Sequence, residues 1–345
     1  MNNRKIFLVT GGCGFIGSNF IRYLLNKYPD YSVVNLDKLT YAGNIHSLKD
    51  FDNSPRYKLI IGDICNKDLV NQIVKDVDVI VHFAAESHVD LSIFDSRIFV
   101  ETNVLGTQTL LEAAKMNGNK RFHYISTDEV FGEAINDKFR ESTPYSPRNP
   151  YSASKAGADH LVMAYYYTHK LPITISNCSN NYGPYQYPEK LFARAITNLL
   201  SGEKIPLYGD GKGIRDWIYV EDHCRALDLI IHKGKLGETY CIGGNCEKTN
   251  KQIAQAILSE LNLSEDNINY ISERPGADSR YAIDFKKIKE ELDWEPLINF
   301  EEGVKKTVEW YKQNKEWWLP LRESMIKNRD QFKDTFSKFK EESKN

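Results

Sequence analysis

The chain contains no apolar run long enough to cross a membrane, and no excess of charge of either sign. Its 345 residues carry 45 Lys and Arg against 47 Asp and Glu, a formal net charge of -2. Such a balance offers nothing to draw nucleic acid or an anionic bilayer. The opening MNNRKIFLVTGG enters an apolar segment at once, without the separate hydrophobic region of a signal peptide, so a soluble cytoplasmic protein is expected. Cysteine is sparse: Cys13, Cys65, Cys178, Cys224, Cys241 and Cys246 form no CxxC pair and lack histidines at zinc-binding spacing. Reduced thiols in or near the core are expected, and with no HExxH either, no metal. Internal repeats and low-complexity tracts are absent; only the last residues, 326–345, read as a solvated, Lys- and Glu-rich tail.

With 41% hydrophobic residues the chain can bury a large core, as one big domain or two intimate ones. Through the first half the β-branched runs IFLVTG, SVVNLD, YKLIIGD, VIVHFAA, FHYIST and ITISNCS alternate with FIGSNFIRYLLNKY, DLVNQIVKD and VLGTQTLLEAAKMNG, which have helical spacing. That alternation predicts βαβ units and a parallel sheet covered on both faces, a doubly wound α/β fold. After about residue 180 Pro and Gly punctuation increases, as in NNYGPYQYPEK, LYGDGKGIRDW and ERPGADSRYAID. Helical stretches persist between these loops, and loops so rich in Gly, Asn and Tyr usually build a site.

TGGCGFIG fits G-x-G-x-x-G through Gly12, Gly14 and Gly17, and G-x-x-G-x-x-G through Gly11, Gly14 and Gly17. Alone, either pattern also suits a simple turn. Placed after the first strand and before the first helix, it turns backbone N–H groups and a helix N-terminus toward a pyrophosphate. Asp37 ends the second strand about twenty residues on, where a carboxylate accepts from both ribose hydroxyls and repels a 2′-phosphate. NAD is thus favoured over NADP, with a turn-capping Asp as the alternative. Asp63 and Ile64, ending the third strand, suit either an adenine contact or a plain turn.

YSASK sets Tyr151 and Lys155 four apart at a helix start, on one face. A lysine ammonium and a cationic nicotinamide are expected to bring the phenol from about 10 toward neutrality, so that Tyr151 can take a proton from a substrate hydroxyl. A chance surface pair would look the same in isolation. In ISTDEVFGE a strand ends at Thr127 and two acids, Asp128 and Glu129, follow without a gap.

At these motifs the chain resembles the extended short-chain dehydrogenase/reductases, and within them the nucleotide-sugar 4,6-dehydratases. The resemblance covers nearly the whole chain, from TGGCGFIGSN through DKLTYAGN, HFAAESHVD, TNVLGT, STDEVFG, YSASKAGAD, NCSNNYGPYQYPEKL, LYGDGKGIRDWIYVEDH and RPGADSRYAID to WEPLINFEEGVKKTVEWY. It implies a Rossmann-type NAD-binding domain over residues 1–180 and a smaller mixed α/β nucleotide-sugar domain over 181–325, some of whose segments interleave with the sheet. It also implies C4 oxidation of a nucleotide hexose, loss of water across C5 and C6, and return of the hydride to C6. Glu129 is similar to the family's base, Asp128 to its acid, and Thr127 to the residue that holds the C4 oxygen. Two such acids need different protonation states at one moment, so their surroundings must differ.

Carried over position by position, Gly11, Gly14, Phe15, Ile16, Gly17, Asp37, Lys38, Thr40, Asp63, Ile64, Ala84, Ala85, Thr102, Tyr151, Lys155 and Asn181 fall on NAD contacts. Ser87, Thr127, Asn180, Lys190, Leu191, Pro206, Tyr208, Arg215, Asn250 and Arg274 fall on sugar-nucleotide contacts; an arginine fork suits a diphosphate, or else a structural ion pair. The implied substrate is dTDP-glucose, with a UDP-hexose or UDP-N-acetylhexosamine as rival and a non-catalytic NAD-binding regulator as the reading from another class. The chain departs from the family pattern at Leu91, where an arginine is usual, and at Glu273 and Ala277, in the loop that handles the nucleotide. A homodimer through helices near 96–117 and 151–169 is also implied, although the YYY at 165–167 could instead be core.

Overall fold

The computed structural model describes residues 5–272 and 278–327. In the first half β1 (Lys5–Thr10), β2 (Tyr31–Asp37), β3 (Tyr57–Ile61), β4 (Val79–His82), β5 (Arg121–Thr127) and β6 (Ile173–Cys178) are separated by helical segments. These are α1 (Phe15–Lys27), α2 (Lys67–Val74), α3 (Val89–Phe94), α4 (Arg97–Phe99), α5 (Thr107–Met116) and α6 (Pro150–His169). A π-helical stretch, Val100–Gly106, joins α4 to α5. The second half contributes β7 (Asn180–Tyr182), α7 (Leu191–Leu200), β8 (Ile205–Tyr208), β9 (Ile214–Tyr219), α8 (Val220–Lys233) and β10 (Thr239–Ile242). It ends with β11 (Glu247–Thr249), α9 (Asn250–Glu260), β12 (Ile268–Ile271), α10 (Lys286–Leu292) and α11 (Phe300–Gln313).

Among the described residues the main sheet is parallel throughout, in the order β10-β6-β5-β4-β1-β2-β3. β1 pairs with β2 on one side and β4 on the other, Thr10 lying beside Leu36 and His82. The strand order therefore reverses at β1, and a crevice opens beyond the C-terminal ends of β1 and β4, where ligands bind in folds of this kind. Burial explains why these strands read as continuous apolar runs: Phe7, Leu8 and Val9 are fully enclosed, because helices cover both faces.

One face is sealed by α1 and α8, with Phe20, Leu24, Leu227 and Ile230 in a common cluster that also takes in Tyr240 of β10 and Trp294. Residues 220–242 thus return to the first-half sheet after the chain has left it. The opposite face is packed by α2, α5 and α6 through Val70, Leu110 and Val162. A smaller body holds β11-β9-β7, a mixed sheet, and the parallel pair β12-β8. It packs around Phe192, Trp217, Ile253 and Tyr311. No helix among the described residues is long and apolar enough to cross a membrane, and the six cysteines are free, four of them buried.

Candidate active site

A cleft of about 520 Å³ runs across the crevice and on between the two bodies. At its first end β1 gives way to the glycine turn. Gly11 has φ +70°, and a Cβ there would stand 2.6 Å from the backbone nitrogen of Ala84. A Cβ on Gly17 would stand 2.4 Å from the Gly11 carbonyl oxygen. Only glycines allow this close packing of turn, helix and neighbouring strand. α1 begins at Phe15 with Gly14 as its cap and no side chain over its first N–H groups. Gly14, Phe15, Ile16 and Gly17 line the cleft at this point, which suits an anion. Asp37 closes β2 nearby, its carboxylate accepting the backbone N–H groups of Cys13 and Leu39, each at 2.8 Å. Burial raises its pKa, and those two N–H groups oppose the rise.

Lys38 and Asp63 form an ion pair at 2.7 Å on the same wall. Burial alone would raise the Asp63 pKa, but Lys38 and the Cys65 N–H outweigh it and hold the carboxyl low. Thr40, Ile64, Ala84, Ala85 and Thr102 complete this wall. The donor set fits a dinucleotide: a glycine cradle at a helix N-terminus, followed by a carboxylate at the end of the second strand.

At the middle of the cleft β5 ends at Thr127 and the chain tightens into a 3-10 turn, Asp128–Phe131. The Thr127 hydroxyl accepts the Glu129 N–H at 3.2 Å and donates to Asp128 Oδ1 at 3.4 Å. The two acids then diverge. Asp128 is 3% exposed, and its Oδ2 finds no hydrogen-bond partner. Burial, then the charges of Glu129 and Asp216, push its pKa well above the usual carboxylate range. Glu129 is half-buried, and its Oε2 accepts the Ser152 hydroxyl at 3.3 Å.

Ser152, Tyr151 and Lys155 come from the first turns of α6. Pro150 opens this helix, and the Asn149 side chain caps it by accepting the Ser152 N–H at 2.9 Å, a strong start signal. Lys155 donates to the Ile125 carbonyl at 2.7 Å and lies 4.1 Å from the centre of the Tyr124 ring. Burial lowers its pKa to about 8. Tyr151 departs from expectation: burial first, then Glu129, hold its pKa well above 10. In the protein alone the enclosed, acid-flanked position dominates the phenol, and Lys155 does not offset it.

The far end of the cleft is lined by Ser87, Asn180, Lys190, Leu191, Pro206, Tyr208, Arg215 and Asn250. Lys190 donates to the Ser87 carbonyl at 3.0 Å. Arg215 donates to the carbonyls of Ile214 and Asp278, at 2.7 and 3.0 Å, with its guanidinium 4.4 Å from the centre of the Tyr281 ring. Asn181 lines the junction with the cofactor end, its Oδ1 2.9 Å from His223 Nδ1. Arg274, Glu273 and Ala277 lie outside the described residues. Leu91 sits in α3 and is not among the residues lining the cleft. Sequence reasoning missed Ser152, Glu189 and Tyr281. Ser152 lay inside YSASK and Glu189 beside Lys190, whereas nothing local marked Tyr281.

Comparison with known proteins follows the same outline. The family model described as GDP-mannose 4,6 dehydratase matches residues 8–307. A dTDP-glucose 4,6-dehydratase of Neisseria gonorrhoeae is 50% identical over 336 residues, covering 90% of this chain and 97% of that protein. The crystal structure of a dTDP-glucose 4,6-dehydratase from Bacillus anthracis in complex with NAD is 48% identical, with TM-score 0.87 over 92% of this chain and 99% of that one. The dTDP-glucose 4,6-dehydratase DesIV of Streptomyces venezuelae, solved with NAD and TYD bound, is 47% identical with TM-score 0.89 over 92% and 99%.

Proposed function

The chain belongs to the nucleotide-sugar 4,6-dehydratase family of the extended short-chain dehydrogenase/reductases, and from that premise we propose that it converts dTDP-glucose to dTDP-4-keto-6-deoxyglucose and water with NAD as a resident cofactor. The observation that carries this reading is the pair of adjacent acids in unlike surroundings, Asp128 enclosed and Glu129 half-open, beside Tyr151 and Lys155. An epimerase or decarboxylase on this scaffold has no use for an acid and base that together remove water.

The cofactor is held by the glycine turn, the N-terminus of α1, Asp37 and the wall from Lys38 to Thr102. When bound, NAD would supply the hydride acceptor for C4 of the sugar and the hydride donor for C6. Tyr151, its phenol brought down from its raised value by the Lys155 ammonium and, with NAD bound, by the cationic nicotinamide, takes the C4 hydroxyl proton as phenolate, and Thr127 donates to the oxygen that becomes the ketone. That ketone acidifies C5–H, and Glu129 takes the proton. Asp128 starts protonated, as its burial favours, and gives its proton to the C6 hydroxyl, which leaves as water. Glu129 finally returns its proton to C5, and the proton gained by Tyr151 balances the one lost by Asp128, exchanged through solvent when the product leaves. Lys190, Arg215 and Asn250 line the far end of the cleft, and in this reading the Arg215 fork meets the diphosphate so that the hexose spans the acids.

Ile93, Ile98, Val100 and Leu105 lie exposed along α3, α4 and the π-helical stretch, an apolar strip that suits a second copy of the chain. A homodimer through this strip and α6 is part of the proposal. Free cysteines and a nucleotide-linked substrate suit a reducing cytoplasm.

The direct test is mass spectrometry of purified protein incubated separately with dTDP-glucose, UDP-glucose and UDP-N-acetylglucosamine, without added NAD. Loss of one water from dTDP-glucose alone is expected. Water loss only from a uridine sugar would overturn the substrate, and none from any of the three, even with NAD added, would overturn the activity.

A further inference from the structure

One buried acid has no task in this scheme. Asp159 lies one turn beyond Lys155 on α6 and is 2% exposed. Its Oδ2 accepts the Ser126 hydroxyl at 2.9 Å and Asn177 Nδ2 at 3.4 Å, while Oδ1 has no hydrogen-bond partner. The hydroxyl of Tyr145 lies beside it. Both hydrogen-bonding neighbours lead to the end of β5. Ser126 directly precedes Thr127, and Asn177 also donates to the Thr127 carbonyl at 3.1 Å. A carboxylate so enclosed and incompletely hydrogen-bonded is costly unless a cation faces it.

The cation nearest in the fold, although the two side chains make no direct hydrogen bond or salt bridge, is Lys155, one turn back on the same helix and itself 4% exposed. Its hydrogen bond to the Ile125 carbonyl and its seat over the Tyr124 ring supply dipoles but no net negative charge. The titratable groups facing it are His82 of β4, Tyr124 of β5, Cys178 of β6, and Tyr151 and Asp159 of α6. Of these, Asp159 is the carboxylate. Burial depresses Lys155 to about 8, and Asp159 is the largest influence opposing it. Burial lifts Asp159 to about 6, and Lys155 is the largest influence opposing that. Each group thus favours the charged form of the other.

We propose that Asp159 is a positioning residue for the oxidation step, the counter-charge that keeps Lys155 an ammonium in a dry site and acts on the reaction through Lys155. The proposal rests on the reading that Lys155 assists Tyr151, and its first test needs neither substrate nor cofactor. Thermal unfolding at pH 7 is compared for wild type, Asp159→Asn, Lys155→Met and the double variant. Asp159→Asn lowers Tm when Lys155 is present and raises it in the Lys155→Met background, where the carboxylate would be buried alone. Equal shifts in both backgrounds mean a purely structural Asp159 and overturn the proposal.

The second test follows the pH profile of the first half-reaction, read as the 340 nm burst with dTDP-glucose. Without Asp159 the ammonium is lost at lower pH. The alkaline limb in Asp159→Asn therefore moves down by about one pH unit, roughly a tenfold loss on that limb, with KM unchanged, and Asp159→Glu restores part of it. An unmoved limb in a variant that still turns over would likewise overturn the proposal. Absence of water loss from dTDP-glucose in wild type would instead sink the functional reading, leaving the unfolding cycle to decide the coupling of Asp159 to Lys155 by itself.

Discussion

Asp128 and Glu129 are neighbours in the chain and opposites in environment, a difference that ought to be measurable one residue at a time. Asp128→Asn removes the proton donor and leaves Tyr151 in place, so C4 oxidation survives while loss of water slows by about 10²- to 10⁴-fold. A quenched reaction then shows accumulated 4-keto-glucose nucleotide. The same substitution stabilises the fold. A carboxyl whose folded pKa lies above its unfolded value costs stability as pH rises through the unfolded value, and Asp128 is such a carboxyl. Calorimetry is expected to give Asp128→Asn a higher Tm than wild type at pH 8, with the gap closing toward pH 4. The chemistry of this site was legible in STDE and YSASK because the residue types themselves carry it. The protonation of Tyr151 was not, since it depends on burial and on a carboxylate brought in by a different element.

At the scale of elements, the cradle formed by the β1 end, the glycine turn and α1 depends on backbone packing that a single methyl group would disrupt. Gly11→Ala puts a Cβ against the Ala84 backbone at 2.6 Å and strains a φ of +70°. Gly118 also has positive φ, +92°, but a Cβ there meets nothing within 4 Å, so Gly118→Ala carries the dihedral cost alone, about 1–2 kcal/mol. The NAD content of purified protein, measured by chromatography after denaturation, is expected to fall at least about tenfold in Gly11→Ala and to stay near wild type in Gly118→Ala. Equal NAD content in both variants would contradict the cradle. The start of α6 was readable because Asn149 and Pro150 are start signals. α8 was not read as part of the first-half sheet. Its buried Cys224, Leu227, Ile230 and Ile231 have helical spacing, but the α1 face they cover lies some two hundred residues earlier, and no local pattern reports a partner at that distance.

For the whole molecule, the exposed strip on α3, α4 and the π-helical stretch predicts association. Ile93 and Val100 are 50% and 53% exposed, and changing both to Glu should reduce the mass by light scattering from twice the 39.7 kDa chain to one copy. A wild-type mass of one copy would overturn the dimer, and an unchanged mass in the variant would overturn the strip as its contact. The parallel sheet was legible from alternating apolar runs, whereas which later segments interleave with it was not, and here 220–242 join the first sheet. That return has a consequence during synthesis. β6 leaves the ribosome with one edge bare, and β10, which pairs with it, follows about sixty residues later, some 3–12 s at roughly 5–20 residues per second. Through that interval the nascent chain exposes an open strand edge together with the apolar flank awaiting α8, so a truncated translation product ending near residue 180 should be a client for chaperones and proteases rather than a free-standing nucleotide-binding protein.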